Sequence, residues 1–352
     1  MTRMGLWRSA VLSSLLGVSG ICAGGVAQAQ AVAEPAGPAA ADAEYVQAGQ
    51  YRVGIERGVW LDTSRDREVP WLIRYPSDAA GPRPVLLFSH GLGGSREGLA
   101  RLSAFLASHG YVVVHVQHKG SDTAIWNGVR PDLKTVDRSA LLKVASDRSV
   151  LLNRFADIPF ALEQLHDMAE TGPMAGRLDM DRVAMSGHSF GAVTTQVAAG
   201  QVFAGGVSMP VDGFRAFIAM SPSGDRNGND KQAFANVSEP FLMMTGTQDS
   251  FALNPSVSAA SDRLRPYRAL PATLPAVLVN LVGGDHFAFS GGILTDEPRP
   301  KDPRYHEIID ATVLAFLDAF LMDDAGAREW LENDLPGFAG SDAEIEMRNI
   351  VE

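Results

Sequence analysis

Two stretches of the chain are apolar without interruption, Pro84–Ser89 (PVLLFS) and Tyr111–Val116 (YVVVHV). Such runs predict strands buried on both faces of a sheet. Between them Leu99, Leu102, Phe105 and Leu106 recur at helical spacing. Arg182–Met185, Phe214–Met220, Phe241–Thr245 and Ala276–Val282 predict further strands. Ser189–Ala199 predicts a helix ending at Gly200, and Pro303–Leu321 another. Arg138–Met168 is helix-patterned throughout; Pro159 predicts a break in it, with Asp157 capping the restarted helix. Ahead of all these, Tyr51–Ile55 and Glu68–Tyr75 read as a hairpin with a polar turn at Asp62–Asp66. Strands that alternate with helices from residue 84 onward predict an α/β fold, a mostly parallel central sheet flanked by helices on both faces. The hairpin adds antiparallel strands at one edge. Nothing resembles a linker between two cores, so residues 44–352 are expected to form a single domain.

The first residues follow another pattern. Arg3 and Arg8 precede an apolar stretch from Val11 to Val26, which ends at Ala27-Gln28-Ala29. This order of charge, apolar segment and small residues predicts a signal peptide cleaved after Ala29 and a secreted or periplasmic protein. The stretch is short and rich in Gly and Ser for a bilayer span, so no stable membrane insertion is expected. Residues 30–43, rich in Ala, Pro and Gly, predict a loose mature N-terminus.

Composition mostly excludes. The 352 residues are 46% hydrophobic and 20% charged, which is ordinary for a globular protein. The net charge of −11 speaks against a basic nucleic-acid surface. The single cysteine, Cys22, rules out an intrachain disulfide framework and Cys-based zinc modules. It lies inside the expected leader, so the working chain would have no thiol nucleophile.

The candidate chemistry begins at Gly187-His188-Ser189-Phe190-Gly191, a G-x-S-x-G pattern between a predicted strand and a predicted helix. A tight turn in that context presents a nucleophilic serine, here Ser189, at the edge where open α/β sheets place their ligands. Ser89-His90-Gly91-Leu92-Gly93-Gly94 follows the strand at Pro84–Ser89. An HG-type turn there supplies one backbone amide of an oxyanion hole and the residue after the nucleophile supplies the other, which singles out Leu92 and Phe190. The same glycines read as a phosphate loop lack the GxxxxGK[ST] pattern, so no nucleotide cofactor is expected.

A serine hydroxyl needs a base. His286, in Gly283-Gly284-Asp285-His286-Phe287, follows the strand Ala276–Val282 and so sits at the same sheet edge as Ser189. The orienting acid must come from another loop there. Asp249, after Phe241–Thr245, is favoured by loop order over its rival Asp225, which follows Phe214–Met220. His115 and His118 are spaced like metal ligands, but no third ligand completes a set, and no metal is expected. Trp126, in the loop Gly120–Pro131, and Phe287 are candidate substrate-binding residues, and Ser221–Ser238 is a second loop expected to overhang the site.

Residues 88–122 (FSHGLGGSREGLARLSAFLASHGYVVVHVQHKGSD) with 183–196 (VAMSGHSFGAVTTQ) resemble the platelet-activating-factor acetylhydrolase and dienelactone-hydrolase-like branch of the α/β-hydrolases, the former more closely. The stretch FLMMTGTQD to VGGDHFAF looks like the acid and histidine loops of the wider group, bacterial polyester hydrolases included. Together the resemblance covers roughly residues 50–320. It implies hydrolysis of a small-molecule carboxylic ester by Ser189 and His286 without cofactor or metal. The sequence departs in one place. Acetylhydrolases of this type take the acid from the loop after the sixth strand, where this chain reads Met220-Ser221-Pro222-Ser223-Gly224-Asp225. That favours Asp249 and keeps Asp225 in play. Without a long apolar lid, short-chain or soluble esters are the expected substrates. A serine peptidase on the same fold and a non-catalytic binding protein are the alternatives; which ester is cleaved and the oligomeric state are not written in the sequence.

Overall fold

The computed structural model describes residues 44–128, 137–250, 257–289 and 301–351. The expected leader (1–29), the expected loose segment up to residue 43 and residues 129–131 of the first overhanging loop lie outside them. Among the described residues nine strands form one sheet: β1 (Val53–Asp62), β2 (Arg67–Pro76), β3 (Arg83–Ser89), β4 (Val112–Val116), β5 (Leu178–His188), β6 (Phe214–Met220), β7 (Phe241–Gly246), β8 (Ala276–Leu281) and β9 (Ala343–Arg348). Their spatial order is β1-β2-β4-β3-β5-β6-β7-β8-β9. The pairings from β4 across to β8 are parallel, while β1 on β2, β2 on β4 and β9 on β8 are antiparallel. The predicted α/β architecture is therefore the observed one, with the hairpin at one edge.

Alternation explains the uninterrupted apolar runs. Along β3, Val85 and Leu87 enter one core while Leu86 and Phe88 enter the other. Along β4, Val112 and Val114 oppose Val113 in the same way. Both faces of the sheet are covered, so neither set of side chains meets water. One face packs on α1 (Ala100–Ser108) and α5 (Asp302–Leu321). The other carries α3 (Arg148–Glu170), preceded by α2 (Arg138–Ser146). α4 (Phe190–Ala198) is buried along its whole length after β5.

Two expectations are corrected. The long helical stretch does not break at Pro159, which lies inside a continuous α3. It breaks at Asp147, whose backbone is extended and whose carboxylate accepts from the amides of Ser149 and Val150 at 2.8 and 3.2 Å. Asp137 caps α2 through Ser139 and Ala140 in the same way. Both caps read Asp-Arg-Ser, and a short acceptor at the N-cap satisfies amides that have no intrahelical partner. Asp157 caps nothing; its carboxylate is engaged elsewhere. The second correction is β9, an antiparallel edge strand beyond the predicted elements.

Parallel register brings five strand ends to one edge. Ser89 pairs with Gly187, His188 with Met220, and Gly246 with Leu281. The loops carrying residues 90–94, Ser189, Ser221–Gly224, Asp249 and His286 thus leave the sheet side by side.

Candidate active site

Between β5 and α4 the chain turns at Ser189 with φ 58° and ψ −113°, a strained conformation for a residue with a side chain. The flanking glycines make the turn sterically feasible. A Cβ on Gly191 would stand 1.8 Å from the Ser89 carbonyl oxygen, and one on Gly187 2.2 Å from that of Gly191. Only a hydrogen fits at either place. The Ser189 amide donates to Met220 O of the adjacent strand at 2.9 Å, which pins the turn to the sheet.

The half-buried Ser189 hydroxyl lies 2.8 Å from Nε2 of His286, and Nδ1 of His286 lies 2.8 Å from Oδ1 of Asp249. With the imidazole neutral, Nδ1–H donates to the carboxylate and Nε2 accepts from the hydroxyl, the arrangement a general base requires. Asp249 is fully buried, and Thr245 Oγ1 donates to its Oδ2 at 3.1 Å. Burial alone pushes this carboxyl up. The hydrogen bond and charge of His286, followed by the charge of Arg263, outweigh it and hold Asp249 well below the usual carboxylate range.

Asp225 stands apart from this line. Its carboxylate accepts from the amides of Asn227 and Asn229 at 2.9 and 3.1 Å, organising its own turn. The structure therefore brings Asp249, and not Asp225, to His286.

The loop after β3 abuts the serine. A Cβ on Gly91 would lie 3.3 Å from that of Ser189, and Leu92 is the next residue; Phe190 is the first residue of α4. His90 holds the loop's shape. Its Nε2 accepts from the His118 amide at 3.0 Å, so its Nδ1–H donates to Gly91 O at 2.7 Å. The neighbouring loop clamps it from outside: Gly93 N–H donates to Ser121 O at 2.8 Å, and Trp126 Nε1–H to Gly93 O at 2.8 Å. Gly93 has φ 72°, and a Cβ there would stand 2.2 Å from the Trp126 ring. Trp126, expected to touch substrate, is thus built against the backbone of this turn. Phe287 is half-buried and meets the His286 ring edge-on at 5.6 Å.

Three features had no signal in the sequence. Arg154 on α3 is fully buried under the loop. Its guanidinium donates to Thr194 Oγ1 at 2.7 Å, Ser121 Oγ at 2.8 Å, Ser89 Oγ at 3.0 Å and the His90 carbonyl, and lies over the Phe190 ring. His188, inside the G-x-S-x-G pattern, donates Nε2–H to the His286 carbonyl at 3.0 Å. Burial, then the nearby charge of His286, lowers its imidazole to about 3, so it is a neutral donor. Arg263, 3% exposed, reaches Asp249 Oδ1 at 3.3 Å.

His115 is a buried core residue against Phe88 and Arg74, while His118 bonds Asp157 and Ser89. Among the described residues no three His, Cys, Asp or Glu side chains form a group that could hold a metal, and no helix is long and apolar enough to cross a membrane.

Comparison with known proteins gives a coherent but partial match. A family model described as platelet-activating factor acetylhydrolase, isoform II, matches residues 69–146. That segment includes the turn at residues 90–94 and stops before Ser189. Among curated proteins, the chain is similar to the platelet-activating factor acetylhydrolase of Cavia porcellus, with 28% identity over 148 residues, 36% of this chain and 34% of the relative. For the enzyme of Canis lupus familiaris the identity is 30% over 145 residues, 32% of this chain and 30% of the relative. For that of Bos taurus it is 26% over 144 residues, with 32% and 30% covered. The match spans about a third of the length of these relatives. The comparisons support a platelet-activating-factor-acetylhydrolase-like α/β-hydrolase family, at modest identity over about a third of the chain.

Proposed function

We propose, from a chain that shares this much with acetylhydrolases, a serine hydrolase that cleaves carboxylic esters through an acyl-enzyme, with residues 44–352 as its catalytic domain. The observation that carries the reading is the hydrogen-bonded line from Ser189 Oγ through His286 to Asp249, with 2.8 Å at each step. Ser189 attacks the ester carbonyl while His286 Nε2 takes the hydroxyl proton. The amides of Leu92 and Phe190 receive the oxyanion. His286 returns the proton to the departing alcohol, then activates the water that frees the acid. Asp249 keeps the imidazole in the Nδ1–H tautomer and stabilises the imidazolium. The relatives' name, acetylhydrolase, favours short acyl groups. The pattern of residues 1–29 favours export from the cytoplasm.

The test is turnover of p-nitrophenyl acetate, with labelling by a fluorophosphonate, in the wild type and in Ser189→Ala. Loss of both signals in the variant is expected. Undiminished turnover in Ser189→Ala would sink the assignment.

A further inference from the structure

We propose that Arg263 is a positioning residue of this site, which fixes Asp249 against the loop after β6 and sets a permanent positive charge beside the base. The inference rests on the triad reading above. Arg263 lies on the short helical turn Ala260–Leu264, between Asp249 and His286 in sequence, and its side chain converges on three of the loops at the sheet edge. Nη1 donates to Ser221 O at 3.1 Å, Pro222 O at 3.1 Å and Ser223 Oγ at 2.9 Å. The two carbonyls lie where the chain leaves β6 through the left-handed backbone of Ser221, φ 59°. Nε lies 3.3 Å from Asp249 Oδ1 and 3.5 Å from Asp249 O, and Nη2 lies 3.5 Å from His286 Nδ1. One planar fork therefore ties the β6 loop to the β7 loop; the histidine is joined to it through Asp249, since Nη2 and the Nδ1–H are both donors. A lysine cannot reproduce that, since an ammonium has no fixed fork.

The charge has its own consequence. Oδ1 of Asp249 is shared between His286 Nδ1–H and the guanidinium. When His286 takes the serine proton, imidazolium and guanidinium divide one carboxylate oxygen. The groups facing the imidazole are Asp249 from the β7 loop, Arg263, the neutral His188 from the end of β5 and Ser189; Asp285 in its own loop accepts from the Phe287 amide, and Asp262 adjoins Arg263. Asp249 attracts the positive charge that develops on the imidazole when it takes the serine proton, and Arg263 repels it. Burying a guanidinium is costly unless an anion compensates, and Asp249 lies 3.3 Å from its Nε.

The test is the pH profile of p-nitrophenyl acetate hydrolysis by the full chain and two variants. In Arg263→Gln the acid limb of kcat/KM is expected to move to higher pH, because a like charge beside the base is gone. In Arg263→Lys the charge stays, so the limb stays, but kcat falls about tenfold with KM little changed as the fork is lost. An unmoved limb in Arg263→Gln, or a moved limb in Arg263→Lys, overturns the electrostatic role. Wild-type kcat in Arg263→Lys overturns the positioning role, and decides the matter alone if the Gln variant does not fold. Ser189→Ala, run alongside, separates the two readings. If it retains turnover, the triad assignment fails. If it is inactive while both Arg263 variants match the wild type, only this inference fails.

Discussion

The carboxylate of Asp157 lies 2.9 Å from Nδ1 of His118, and neither side chain meets solvent. From this pair a continuous polar chain runs to the candidate oxyanion turn. His118 Nε2 accepts from Ser89 Oγ at 3.0 Å, Ser89 Oγ accepts from Arg154, and Arg154 also grips the His90 carbonyl. On its other side Asp157 receives Arg65 Nη1 at 2.9 Å and Arg67 Nε and Nη2 at 2.7 and 2.8 Å. One buried carboxylate thus joins the β1–β2 hairpin, α3 and the two turns beside Ser189.

Removing that carboxylate leaves the half-buried Arg67 and the buried His118 without their partner, while Arg65 keeps Asp62. Asp157→Ala is expected to lower the free energy of unfolding by about 3–5 kcal/mol, the range for breaking a buried ion pair from one side. Urea denaturation at neutral pH checks it. A loss below about 1 kcal/mol would mean that water or a rearranged Arg67 replaces the contact.

Acid should weaken the fold before it protonates most carboxylates. Burial, with the charge of Arg154 next, holds His118 at about 4, and burial holds His115 at about 3. His188 is at about 3, and His90 is also pushed well down by burial. The unfolded chain protonates these imidazoles near their ordinary value of about 6.5 while the folded chain does not, so stability is fully present above that pH and falls below it. Asp157 adds a later loss. Burial raises it, but the hydrogen bonds and charges of Arg67 and His118 prevail and hold it at about 2. Its contribution is present above about 3.9 and disappears as pH falls towards 2. Urea midpoints should therefore drop steadily from pH 7 to pH 5. A flat profile would show that these histidines are protonated in the native protein.

Of the two aspartates that loop order left in competition, only Asp249 reaches His286. Asp249→Asn is expected to reduce kcat about 10⁴-fold with the fold intact, since the amide favours the wrong imidazole tautomer. Asp225→Asn keeps an acceptor for its own turn and should match the wild type within about twofold. The reverse result, measured by ester turnover, would move the acid to the β6 loop.

What the sequence reveals and what it hides divide along physical lines. Strands buried on both faces announce themselves as unbroken apolar runs, and β6 was legible to the residue at Phe214–Met220. Local motifs were legible because their chemistry is local: glycines stand at 187 and 191, where only a hydrogen fits beside the Ser189 turn. Asp147 and Asp157 show the limit. Both are aspartates in one helical stretch, and only the backbone path decides that the first caps a helix while the second is enclosed by Arg65, Arg67 and His118. Arg154 and Arg263 were invisible for the same reason. Arg154 bonds groups 33 to 65 residues away in sequence and Arg263 groups 14 to 42 away, and an arginine read alone looks like a solvated surface charge. β9 was missed because its alternation, AEIEMR, is that of an ordinary half-buried edge strand and follows a run of short helical turns.

Trp126 shows how a residue type can suggest one role and its contacts another. A tryptophan in a loop near a serine nucleophile suggests an aromatic wall for substrate. Here the indole N–H is spent on Gly93 O at 2.8 Å, and the ring occupies the space that a side chain on Gly93 would need. If it lined the pocket, Trp126→Phe would raise KM and leave kcat nearly unchanged, since lost contacts would be shared by ground and transition states. If it braces the turn that bears the Leu92 amide, the same change loses the Gly93 hydrogen bond and loosens a donor needed chiefly when the oxyanion forms. Deleting such a donor outright costs about 10²–10³ in rate. Loosening it should cost less, so kcat is expected to fall about tenfold with KM within about twofold of the wild type. Steady-state kinetics on p-nitrophenyl acetate distinguish the two. A KM effect without a kcat effect would return Trp126 to the substrate pocket.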